Sequence, residues 1–123
     1  MVTCSEREYA RARRTRVDVR LPGIAGPRQH RELGAFAWYC VARIERDLGE
    51  SQRWIISIAP VDGKFTSTVV VLDHGSSLET SGQGLDGTLA TWDAMCKIEQ
   101  ALCEARAQRR PQRLSRRGSR ADR

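Results

Sequence analysis

Cys96 and Cys103 stand seven residues apart in a stretch with helical periodicity. Two turns of helix separate such thiols by about 10 Å, too far for a disulfide or for ligation of one metal ion. Together with Cys40 they read better as reduced thiols lining a core, and Cys4 is isolated near the N-terminus. His30 and His74 have no cysteine, histidine or carboxylate at ligand spacing and read as solvated side chains. Glu45, Asp47 and Glu50 form a charged helix end, not an acid–base pair. Gly82-Gln-Gly-Leu-Asp-Gly87 has the literal G-x-G-x-x-G spacing with which a backbone approaches a pyrophosphate at a helix N-terminus. Here it precedes the last helix, with no further strand to complete a βαβ unit, so the turn reading is the stronger one. No phosphate-binding loop, nucleophile elbow or zinc-protease motif is present. The expectation is a protein that is not an enzyme and has no cofactor, no metal site and no small-molecule substrate.

Arginine is the residue whose placement is informative. Residues 106–123 carry eight arginines against one aspartate, and residues 1–16 five against two glutamates. The intervening residues 17–105 hold eight basic and twelve acidic side chains. A mildly acidic body with basic ends matches a chain that seeks a polyanion, nucleic acid first among them, through its ends. A solvated tail that only aids solubility is the plainer alternative. No apolar run approaches a membrane span and the N-terminus has no apolar signal core, which points to a cytoplasmic protein without a membrane partner.

The elements that must position these groups follow from periodicity. Thr15–Leu21 alternates apolar and polar residues, as a half-buried strand does. Pro27 suits a first helical turn, and Leu33, Phe36, Ala37, Cys40, Val41, Ile44 and Leu48 then recur at helical spacing up to a stop at Gly49. Trp54–Ile58 and Phe65–Leu72 are β-branched and aromatic, separated by turn residues Pro60–Lys64, with Asp73-His-Gly75 before a short strand Ser77–Ser81. A last helix spans about Asp86–Arg110, burying Leu89, Ala94 or Met95, Ile98, Leu102 and Ala105, with Pro111 ending it. Trp38 and Trp92 fall at the margins of the two helical stripes, either packed between the helices or exposed for base stacking or a protein partner. The expected fold is an α/β, two-layer α+β domain of order β-α-β-β-β-α, a four-stranded mixed sheet with two helices on one face. The domain runs over residues 15–110. A flexible basic extension, 1–14, precedes it, and a disordered arginine-rich tail, 111–123, follows.

This order, with Asp86, Ala90, Lys97, Ile98 and Leu102 in step and Arg106, Arg109 and Arg110 after them, resembles the short ribosome hibernation promoting factor and ribosome-associated inhibitor family (sigma-54 modulation protein-like). Arg43-Ile44-Glu45 matches a Lys-Leu-Glu segment often found there, and the resemblance covers roughly Val17 to Arg110. Trp92 stands where the family usually has Asp, and Gln100 and Glu104 where it is commonly basic. The resemblance implies a ribosome-associated stress factor that binds rRNA of the small ribosomal subunit and occludes the decoding region. Arg43, Arg46, Lys97, Arg106, Arg109 and Arg110 would be its phosphate contacts. Two alternatives use the same elements: a protein-interaction or regulatory module without strong rRNA binding, and a domain of double-stranded-RNA-binding type.

Overall fold

Two Xaa-Gly turns shape the sheet. Asp62 and Gly63 have φ of 52° and 77°, and His74 and Gly75 have φ of 51° and 79°. Positive φ at both central residues gives the hairpin twist that matches right-handed strands. The computed structural model describes the backbone of residues 16–121 and the side chains of residues 16–108. In it, β1 (Val17–Arg20) is followed by α1 (Pro27–Leu48). The meander β2 (Arg53–Val61), β3 (Lys64–Asp73) and β4 (Ser76–Gly84) comes next, and then α2 (Gly87–Ala121). The sheet order is β1-β2-β3-β4, with β1 parallel to β2 and the other pairs antiparallel. This is the expected β-α-β-β-β-α, two-layer mixed-sheet fold.

The register explains the core. Trp54 pairs with Val71 and Ile56 with Val69, and all four are buried with Ile58 in a core cluster that also takes in residues of both helices. From α1, Leu33, Ala37, Cys40, Val41 and Ile44 are buried, as their spacing predicts. Pro27 occupies the first turn, and Gly49, at φ 88°, caps the end with its N–H on the Glu45 carbonyl at 2.7 Å. Both ends of α1 are where sequence chemistry places them.

Four expectations are corrected. The strands run further than expected: β2 reaches Val61, leaving only Asp62-Gly63 as turn, and β4 reaches Gly84 because β3 extends far enough to pair with it. Pro60 is tolerated in β2 because β1 pairs only as far as Ser57, so the missing N–H faces an open edge. On α2, Leu89 is 52% exposed while Ala90 is fully buried. The helix lies so close to β4 that only the smaller residue fits between them. Cys96 and Cys103 are exposed, and only Cys40 of the described cysteines is in the core. Finally, α2 does not stop at Pro111 but continues to Ala121. A proline removes one backbone bond within a helix, and the flanking Arg, Gln and Leu are good helix formers. The N-terminal extension and Cys4 lie outside the described residues.

Candidate nucleic-acid interface

The two helices run parallel. A Cβ on Gly87 would sit 2.8 Å from Leu33, Arg43 binds Glu99, and Gly49 lies beside the Arg106 guanidinium. The starts, middles and ends of the two helices therefore lie side by side, and the candidate cations of both fall along one helix pair.

Their surroundings differ from a free basic face. Arg43 is half-buried, its Nη2 donating to Glu99 Oε1 at 3.1 Å and its guanidinium lying 4.9 Å from the centre of the Trp92 ring. Lys97 donates from Nζ to the Ser81 carbonyl at 2.9 Å and pairs with Asp93 at 3.2 Å. Arg106 forks onto the buried carboxylate of Asp73, at 3.1 and 3.4 Å. Arg46 is different: its side chain is 76% exposed and among the described residues it approaches only its neighbour Asp47, at 3.6 Å. Arg109 and Arg110 follow on α2, where side chains are outside the described residues. Three of the four candidate cations with described side chains thus hold a carboxylate within the fold.

The Lys97 pair has a further role that spacing alone could not reveal. Asp93 accepts the backbone N–H of Gln83 at 3.2 Å while Lys97 takes the Ser81 carbonyl. Both groups belong to the outer edge of β4. An i,i+4 pair on α2 therefore satisfies the outward backbone of an edge strand, a place where a foreign strand would otherwise add. The Gln83 N–H and then Lys97 hold the Asp93 carboxyl below the usual carboxylate range.

The glycine run has a packing explanation. A Cβ on Gly82 would lie 2.4 Å from the Ala94 nitrogen and 2.5 Å from the Ala90 carbonyl. On Gly84 it would lie 2.7 Å from the Ala90 nitrogen. These glycines let α2 lie directly on β4. Asp86 caps the helix, its Oδ1 accepting the Leu89 N–H at 2.8 Å, and so places a carboxylate where a phosphate would bind. The adjoining cleft, lined by Lys64, Gln83, Gly84 and Leu85, has a volume of about 130 Å³, small beside the several hundred typical of nucleotide-sized ligands.

The charged end of α1 conceals a hub. Glu45 accepts two bonds from Arg16 at 2.5 and 2.9 Å, one from the Ser51 N–H at 3.0 Å and one from the Trp54 indole at 3.0 Å. Burial alone would raise its pKa, but these donors outweigh it and hold the carboxyl low. The site is structural, joining β1, α1 and β2. Burial likewise pushes the Cys40 thiol up to about 11 against the pull of Arg43, so it is a packed thiol and not a nucleophile at neutral pH. His30, expected to be solvated, sets its ring Nε2 against the Ile24 carbonyl in the loop before α1.

No family model matches the sequence, and no curated protein matches it. Solved structures do share its fold. A ribosomal subunit interface protein from Coxiella burnetii is 19% identical with a TM-score of 0.63, over 74% of this chain and 97% of that one. The N-terminal domain of Protein Y from Thermus thermophilus is 14% identical with a TM-score of 0.51, over 56% of this chain and 77% of that one. The architecture that the resemblance implies is therefore the architecture found. Among the described residues no helix is long and apolar enough to cross a membrane.

Proposed function

We propose that the protein is a non-enzymatic, cytoplasmic ribosome-associated factor of the hibernation or stress type. In this reading it binds rRNA of the small subunit and blocks the decoding region by occupying it. The observation that supports this best is the fold shared with the ribosomal subunit interface protein over 97% of that chain. The arginine cluster on the distal part of α2 is in keeping with it. Arg46, Arg109 and Arg110 are the first phosphate contacts. Arg43 and Lys97 join them only by exchanging a carboxylate for a phosphate, an exchange that returns little net energy at a wet surface, and Arg106 joins only by leaving the buried Asp73 carboxylate, which costs more.

The test is co-sedimentation of the full chain with small ribosomal subunits at two salt concentrations. If residues 111–123 neutralise about four phosphates, their deletion flattens the log K against log salt slope by about 3 to 4. Arg46→Glu, a reversal on an exposed side chain, weakens binding without loss of fold. An unchanged slope and a silent Arg46→Glu would sink the rRNA reading. The pairing of three candidate cations with carboxylates of this chain favours a second reading, a protein-interaction module on this scaffold. Absence of co-sedimentation at any salt is its signature.

A further inference from the structure

The least expected surface of the molecule lies between the first halves of the two helices. Phe36 on α1 has Tyr39 on one side and Trp92 of α2 on the other, each with ring centroids 6.4 Å away. Tyr39 is 59% exposed and Trp92 40%, and Leu89, one turn before Trp92, is also open. A helix pair needs no such residues on its outer side for stability, since Phe36 already closes the core beneath them. The patch is nearly neutral. Arg43, its cation, lies over the Trp92 ring and is bonded to Glu99. Arg43 therefore holds the ring while it is bonded to Glu99.

The arginine-rich end of α2 selects the occupant. The same helix that carries Trp92 continues into the arginine-rich segment, and about 21 Å of helix separate Trp92 from Arg106. A single strand held there by its phosphates reaches the rings within a few nucleotides. Rings beside a cationic track are how proteins hold unpaired bases without reading their sequence. We propose that Tyr39, Phe36 and Trp92 form a stacking platform for an unpaired base of bound RNA, with Arg43 as a positioning residue for Trp92. This rests on the nucleic-acid part of the function proposed above, and not on the ribosome as the source of the RNA.

The experiment titrates the full chain with a single-stranded oligouridylate and with an abasic strand of equal length, following tryptophan emission and affinity. Trp54 is fully buried, so a change on binding reports mainly on the outer indoles. The oligouridylate is expected to quench emission and to bind about tenfold more tightly than the abasic strand, as one stacked base is worth. Trp92→Leu removes both differences while leaving the salt-dependent binding common to the two strands. Tyr39→Leu, on the other helix, repeats the test should Trp92→Leu misfold, and Arg43→Lys, which keeps the charge but loses the planar stack, reduces the quench. Equal binding of the two strands by the wild type overturns the platform and leaves the nucleic-acid reading standing. No binding of either strand overturns both. A dimer dissolved by Trp92→Leu assigns the patch to a second copy and overturns it too.

Discussion

Helix α2 is held along two seams of opposite character. On β4 it lies backbone to backbone, over Gly82 and Gly84, with Ala90 and Ala94 between and no room for a methyl group. Against α1 it meets large side chains: Phe36 and Trp92, with Arg43 bonded to Glu99, all partly open to water. The first seam has one solution, and any added atom must displace backbone. The second can repack around a changed side chain. The difference separates the seam that holds the fold from the one that tolerates change, and the proposed aromatic platform lies on the tolerant side.

The sharpest way to break this comparison is Gly82→Ala. Its methyl group would collide with backbone of α2, so a loss of about 3 kcal/mol or more is expected in urea denaturation. A loss below about 1 kcal/mol would mean that the β4 seam can shift after all. Next comes Glu45→Gln, which removes the carboxylate charge that faces the part-buried Arg16 guanidinium, for about 2 kcal/mol. Its pH dependence has a definite sign. Burial pushes Glu45 up, but Arg16, the Ser51 N–H and the Trp54 indole prevail, so the folded pKa lies below the unfolded one. The stabilisation is complete above about pH 5 and fades as pH falls through the depressed folded value. The gap between wild type and Glu45→Gln in denaturation midpoints should therefore narrow on acidification, and a gap that widens would contradict the hub. Trp92→Leu, on the tolerant seam, should cost about 1 kcal/mol or less, because what it loses is a half-exposed ring contact. A cost as large as that of Gly82→Ala would make the two seams alike. Smallest of all is Lys97→Met, whose ammonium is about half exposed. Calorimetry should show no resolvable change in Tm, and a clear drop would make the closure of the β4 edge part of the fold's foundation.

Much of this was legible in the chain. The alternation of Trp54, Ile56 and Ile58 against Val69 and Val71 marks the buried face of the meander, and Pro27 and Gly49 bracket α1. Periods of two and of 3.6 are local properties and survive without knowledge of neighbours. What was not legible depends on distance between elements. Leu89 outranks Ala90 in hydrophobicity, and only the glycines across the seam decide that the smaller residue goes inside. Lys97 looks like a solvated cation until β4 is placed beside it with an unpaired carbonyl. Glu45 is one acid among three at a helix end, and its donors arrive from residues 29 and nine positions away. Of the candidate contacts, spacing correctly placed the cations on two neighbouring helices, but it could not show which already had partners.

The two-residue hairpins also bear on the order in which the molecule assembles. Strands β2, β3 and β4 are joined by turns that bring partners together almost without loop entropy. Among the described residues strand β1 meets β2 through four residue pairs, Val17 with Trp54 through Arg20 with Ser57, and the whole of α1 intervenes. Its closure entropy must be met before those few contacts are gained, so it joins a preformed meander late in folding. For the same reason it should be the first strand to detach when the native state fluctuates, releasing Arg16 from Glu45 as it leaves.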